Sequence, residues 1–197
     1  MKRLVFSIIP MMLGAAVSAQ PGNNGEALRN ELEVRAFQRE GLTAKLYLEK
    51  PVTERFALNL TAFKAGGRDE LIVGPTFHFS PQMSLALGAG VSRYRASGES
   101  APSSHGTLSA SWFWSTETWG AEALVERYGR DPAPWYREGY LQKRIDGGLS
   151  AGLFAKSGSG WGPRLSYDIN RQANIWVASF VKQTGEAKVV LGIKVSF

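Results

Sequence analysis

The feature that most constrains this chain is a two-residue period that begins near residue 31 and continues to its last residue. Leu32, Val34 and Ala36 alternate with Glu31, Glu33 and Arg35, and Leu42, Ala44, Leu46 and Leu48 alternate with Thr43, Lys45, Tyr47 and Glu49. Phe56, Leu58, Leu60 and Ala62 stand against Ala57, Asn59 and Thr61, then Leu71, Val73, Phe77 and Phe79 against Gly74, Thr76 and His78. In the cleanest run, Met83, Leu85, Leu87, Ala89 and Val91 alternate with Ser84, Ala86, Gly88, Gly90 and Ser92. Successive side chains of a strand point to opposite faces, so each run predicts a strand with one apolar face and one polar or small face.

The second half continues the pattern. Leu108, Ala110, Trp112 and Trp114 are followed by Trp119, Ala121, Ala123 and Val125, with Ser109, Ser111, Glu122 and Glu126 on the opposite faces. Leu149, Ala151, Leu153 and Ala155 form the next run, and Pro163, Leu165, Tyr167 and Ile169 alternate with Arg164, Ser166 and Asp168. Val189, Leu191, Ile193, Val195 and Phe197 close the chain. Residues 135–144 and 174–182 read as strands by composition, but their alternation leaves the apolar face undecided. The count is twelve strands, with ten or eight as the lower readings. No helical stripe interrupts them.

Alternation alone fits a soluble sandwich as well as a membrane barrel. Two features separate them. The apolar face covers about five alternate positions per strand, matching the ~9–11 tilted residues that cross a hydrocarbon layer. No segment is left over to cover a sheet edge, and in lipid each unpaired edge group costs several kcal/mol. The expected fold is therefore all-β, a closed antiparallel transmembrane barrel.

Ahead of the barrel, Lys2 and Arg3 precede an apolar run from Leu4 to Val17, and Val17, Ser18 and Ala19 supply small residues at a cleavage position. That layout is a secretory signal peptide, too short to span a bilayer as a helix. The expected division is a signal peptide over 1–19 and one barrel domain over 20–197. The chain has no Cys and two His far apart, which removes disulfides, thiolate ligands and an ordinary zinc site. No metal and no cofactor are predicted. The 23 basic residues, Lys2 and Arg3 among them, are scattered among 17 acidic ones. Without a basic block, nucleic acid is not an expected partner.

The terminal strand, Val189, Leu191, Ile193, Val195 and Phe197, resembles the C-terminal signal of Gram-negative outer-membrane β-barrel proteins, which end in an aromatic residue preceded by alternate apolar positions. The resemblance implies residence in the cell outer membrane, with outer-membrane lipids and, during biogenesis, the barrel assembly machinery as partners. It identifies no single family within that group. Loop lengths suit such a barrel with its N-terminus in the periplasm. Turns near Pro51, Pro81, Thr116, Asp146 and Arg171 read as tight, and Gly41 and the pair Gly66 and Gly67 mark further turns. The connection 96–106 reads as long, and those near Asp131 and Gly158 as moderate. Phe56, Phe79, Trp114, Trp119, Tyr167 and Phe197 then form an aromatic girdle beside the periplasmic turns.

In this phasing the charged residues facing the lumen are Glu31, Glu33, Arg35, Lys45, Glu49, Glu122, Glu126, Arg164, Asp168, Lys188 and Lys194. Small inward residues, including Gly88, Gly90, Ser109 and Ser111, fill little space. They point to a narrow pore for small polar solutes. Charges that instead pair across strands would brace a closed barrel, so a non-conducting structural or surface-interaction barrel is the alternative. In that case Trp135 and Trp161 either contact a partner or form the outer aromatic belt. An enzyme is the third reading. His78 and Ser80 share a strand face at the spacing that resembles lipid-A deacylases, but they lie near the periplasmic end without an evident acidic partner. Ser103, Ser104 and His105 fall in the long connection and need a distant orienting carboxylate. The expectation is that the chain is not an enzyme.

Overall fold

The computed structural model describes residues 29–37, 41–95, 102–129, 135–181 and 187–197. The expected signal peptide lies outside them, as do parts of the connection 96–106 and of the one near Asp131. Twelve strands follow one another: β1 (Glu31–Phe37), β2 (Gly41–Thr53), β3 (Phe56–Ala65), β4 (Arg68–Ser80), β5 (Met83–Tyr94) and β6 (Ser103–Ser115). The second half adds β7 (Trp119–Tyr128), β8 (Trp135–Asp146), β9 (Leu149–Lys156), β10 (Gly160–Asp168), β11 (Ala173–Val181) and β12 (Ala187–Ser196). Each pairs antiparallel with its neighbours in sequence, and β12 closes onto β1. The seam runs from Glu31 opposite Ser196 to Phe37 opposite Val190, and the Phe197 amide donates to the Asn30 carbonyl at 3.0 Å. Closure leaves no open sheet edge, which is what hydrocarbon demands.

At the end of the barrel that holds Arg29 and Phe197, the turns are 54–55, 81–82, 116–118, 147–148 and 169–172. The connection from β5 to β6 at the other end spans 95–102. Short turns mark the periplasmic side of such barrels. Gly147 and Gly148 have φ of 57° and 85°, the doubly left-handed backbone of a type I′ hairpin. Irregularities in register fall between Pro51 and Thr53, His78 and Ser80, and Arg144 and Asp146. All three sit at periplasmic ends, where a bulge can end pairing.

Two expected turns move. Pro51 lies inside β2 opposite Ala57, and the reversal comes at 54–55, because the bulge accommodates a residue without an amide hydrogen. Ser103 to Gly106 belong to β6, paired with Tyr94 to Val91, so the long connection is shorter than the reading 96–106. Trp135 opens β8 and Trp161 is the second residue of β10, which sets both at the end opposite Arg29 and Phe197.

The exterior is apolar at nearly every outward position. Leu71, Val73, Leu87, Val91, Leu153, Leu165, Val177, Leu191 and Ile193 are exposed, and Leu108 reaches 61 %. An uninterrupted belt of this kind is foreign to soluble surfaces. Near the periplasmic turns it grades into aromatics, with Trp112 stacked on Trp114 at 6.4 Å and Phe56 against Phe77 at 5.7 Å.

The buried core lies inside the barrel. Phe37, Phe154, Trp176, Ala178, Phe180 and Val190 form one cluster, with Tyr140 packed against it. Here β8 and β11 resolve their ambiguity. Tyr136, Glu138 and Tyr140 point inward from β8, as do Trp176, Ala178 and Phe180 from β11. Gly192 faces Trp176 across the β11–β12 pair, and a Cβ there would stand 2.2 Å from Trp176 Cε2. The Gly192→Val barrel is therefore expected to lose about 3 kcal/mol, since overpacking a filled core costs roughly 1–3 kcal/mol. The urea midpoint of Trp fluorescence reads that loss.

Candidate functional site

Because every strand alternates, the inward face of each contributes one side chain per two residues, and twelve such faces meet in the lumen. At mid-height they form a charged cluster. The Arg29 guanidinium, just ahead of β1, meets Glu122 of β7 at 2.8 Å and Glu31 at 3.1 Å. Lys194 of β12 reaches Glu31 at 3.5 Å and Glu122 at 3.6 Å, and Lys45 of β2 reaches Glu122 at 3.6 Å. Arg35 spans the lumen from Glu33 at 2.5 Å to Glu138 of β8 at 2.5 Å. Arg29, Arg35, Lys45 and Lys194 thus balance Glu31, Glu33, Glu122 and Glu138. Desolvated charges persist only when paired in this way.

Aromatic rings hold the cations from the sides. Arg29 lies 4.3 Å over Phe113 and 5.3 Å over Tyr47. Arg164 sits between Trp176 at 4.1 Å and Tyr140 at 4.3 Å, and its Nε donates to Gln142 at 3.2 Å. The Trp176 indole donates to Glu33 at 2.8 Å. The contacts of cations with ring faces are each worth about 0.5–2 kcal/mol.

Toward the outer end, Arg68 pairs with Glu70 and, at 2.8 Å, with Glu126, which also accepts from the Tyr128 hydroxyl at 2.7 Å. Toward the periplasmic end, Tyr47 donates to Glu49 at 2.5 Å, and Asn59 donates to Thr76 at 3.0 Å. Asp168 lies exposed near the periplasmic rim, where it accepts from Asn174 at 2.7 Å. Lys188 faces Phe180 across the β11–β12 pair. The terminal-strand residues Val189, Leu191 and Ile193 are exposed on the exterior, with Val195 and Phe197 half-buried beside the seam.

Packing is uneven around the wall. The β8–β12 side and β1 carry the clustered rings, whereas β3 to β6, apart from Phe63 and Phe113 under Arg68 and Arg29, present Thr61, Ala86, Gly88, Gly90, Ser109 and Ser111. A cavity of about 30 Å³ lies beside that wall, bounded by Thr61, Ala86, Ser109, Ser111, Glu122 and Lys194 among others. A water needs roughly 10–15 Å³ of such space, so about two fit. A smaller cavity of about 10 Å³ adjoins Arg35, Glu138 and Arg164.

Among the charged inward groups that escaped the sequence reading are Arg29, Arg68, Glu70, Glu138 and Lys156, whose ammonium lies 3.8 Å over the Phe37 ring. Arg29 precedes the first strand and carries no phase of its own. Arg68 and Glu70 continue the inward phase of β4 beyond the run that began at Leu71, and counting back by two would have found them. Glu138 lies on the undecided strand β8.

His78 faces Glu49 at 3.6 Å, an acidic neighbour that the sequence did not suggest, whereas the Ser80 hydroxyl accepts from the Gln82 amide at 3.2 Å and caps the turn. His105 and Ser103 are 3.0 Å apart at the outer end of β6. Among the described residues no group of three or more His, Cys, Asp or Glu side chains could hold a metal ion.

No protein-family model and no curated protein matches the chain. Among solved structures, it is similar to the KdgM porin, at 14% identity and a TM-score of 0.53 over 85% of this chain and 99% of that one. It is similar as well to outer membrane phospholipase A from Escherichia coli, at 12% identity and a TM-score of 0.55, covering 90% and 95% of the two chains. One architecture thus serves a porin and an enzyme, and the fold alone does not choose between them. What the shared fold, the closed ladder and the apolar exterior do establish together is that this chain is a twelve-stranded outer-membrane β-barrel protein.

Proposed function

We propose that the protein is a narrow passage for small polar solutes, running off-axis between the small-residue wall of β3 to β6 and the charged cluster around Glu122. The observation that carries this reading is the unequal packing of the lumen. One side is packed with rings and keeps about 10 Å³ beside Tyr140 and Phe154, whereas about 30 Å³ lies open against Thr61, Ala86, Ser109 and Ser111. Both signs of charge border that space, so a permeating solute crosses a transverse field with little net bias for either sign. The similarity to a porin agrees with this reading.

Planar-bilayer recording of the mature chain tests it. The expected result is small, resolvable conductance steps with weak ion selectivity. Absence of steps at every voltage would leave the ion cluster as a brace for a closed structural barrel.

A second reading rests on the 3.0 Å contact of His105 with Ser103, which a hydrolase could use near the outer leaflet. No carboxylate orients His105 among the described residues, and a dyad without an orienting group is a weak nucleophile. Wild type and His105→Ala are accordingly expected to leave identical lipid profiles by mass spectrometry. The terminal strand ending in Phe197 completes the proposal as the assembly signal. Deleting Phe197 should sharply reduce the fraction of heat-modifiable, folded barrel recovered from membranes.

A further inference from the structure

The outer rim divides into two arcs. From β9 round to β2 the outward residues are neutral among the described residues, with Trp161, Val181 and Leu42 all exposed. From β3 to β8 they are cationic. Lys64 is the penultimate residue of β3, Arg93 of β5 and Arg127 of β7, Arg95 follows β5 directly, and Arg137 is third in β8. All five share the outward phase of the exposed apolar residues behind them, such as Leu71, Val91 and Leu108.

The single acidic residue in this arc among the described residues is Asp69, opposite both Lys64 and Arg93, and Lys64 takes it at 2.8 Å. Arg127 lies 5.5 Å over the Trp135 ring, which leaves the edge of its guanidinium open. The Arg137 amide, by contrast, is already engaged by the Ser157 hydroxyl, so only its side chain is presented outward. Among the described residues, no carboxylate pairs with the side chains of Arg93, Arg95 or Arg137.

A cation on the lipid face is costly at the bilayer midplane and nearly free at the interface. These residues therefore sit where apolar belt meets headgroups. A planar guanidinium fork matches phosphate oxygens two at a time, and four of the five cations are arginines. On the periplasmic side the outward strand cations are Lys50 and Lys143, on strands far apart around the barrel, and Lys143 lies against Trp119.

We propose that the β3–β8 arc of the outer rim binds the phosphate groups of an anionic outer-leaflet lipid, with Arg93, Arg127 and Arg137 as its principal donors. The site is independent of whether the lumen conducts. It is tested by native mass spectrometry of the full, detergent-refolded barrel titrated with bisphosphorylated lipid A and with its phosphate-free form.

Wild type should retain the bisphosphorylated lipid and bind the phosphate-free form weakly. The triple variant Arg93→Gln, Arg127→Gln, Arg137→Gln should bind the bisphosphorylated lipid about 100-fold more weakly, taking roughly five-fold per cation at a charged lipid surface. The control Lys50→Gln, Lys143→Gln should match wild type, and heat-modifiable gel mobility confirms that every variant is folded. Equal affinity of wild type and triple variant, or equal affinity for the two lipids, would overturn the proposal.

Discussion

Replacement of Glu122 by Ala is expected to be the most damaging single change in the lumen. This one carboxylate receives Arg29 at 2.8 Å and both Lys45 and Lys194 at 3.6 Å. Its removal leaves three cations facing one another out of bulk water, with only Glu31 still bridging two of them. Breaking a buried pair from one side costs about 3–5 kcal/mol, because the uncompensated charge remains. Urea unfolding of the barrel in lipid vesicles should show a loss of that size. Where the variant still inserts, its conductance should turn anion-selective, since positive charge then dominates the narrowest section. A loss within the scatter of ordinary surface substitutions would mean that Glu122 is solvated and the cluster is not a structural node.

Arg29→Ala should act in the opposite sense on permeation. Arg29 belongs to no strand, so its removal leaves every ladder hydrogen bond in place. Its side chain nevertheless fills the middle of the lumen, against Glu122, Glu31, Phe113 and Tyr47. Truncation merges its volume with the adjoining cavity. The single-channel conductance should rise by roughly two-fold or more, because the narrowest section limits conduction. Stability should fall less than in Glu122→Ala. Glu122 keeps Lys45 and Lys194 as partners, so no charge is stranded. Unchanged conductance would show that the passage does not run past Arg29.

The division between what alternation reveals and what it hides follows from the physics of a barrel. A period of two states which side chains share a face, so the inward positions of β2, β3, β5 and β6 can be read directly from runs such as Met83 to Ser92. It fails where both faces are apolar. On β11, Ile175 and Val177 meet lipid while Trp176 and Phe180 fill the lumen, and from Ile175 to Val181 the apolar stretch is interrupted only by Ser179. On β8 the fault is the reverse, since both faces mix aromatic and charged residues, with Trp135, Arg137 and Lys143 outward and Tyr136, Glu138 and Tyr140 inward, and this hid the packed half of the interior. Small residues such as Gly88 and Ser109 were legible, but they describe only one wall.

Partners across the lumen lie beyond any local pattern. Arg35 and Glu138 are 103 residues apart in the chain, and Glu33 and Trp176 are 143 apart. They meet only because closure and strand tilt bring β1 opposite β8 and beside the β12–β11 pair. Gly192 offered a faint signal: a glycine among Val, Leu and Ile in a strand marks a close approach, and here the approach is that of the Trp176 indole.

Since the chain has no Cys, a single introduced thiol can report on one position. A fluorophore attached at Leu108→Cys, and separately at Ser109→Cys, compares two adjacent residues of β6 that point to opposite sides of the wall. In vesicles containing spin-labelled lipid, the probe at 108 should be strongly quenched and the probe at 109 should not. Equal quenching at both positions, or none at either, would contradict a barrel whose one face meets hydrocarbon while the other encloses a polar interior.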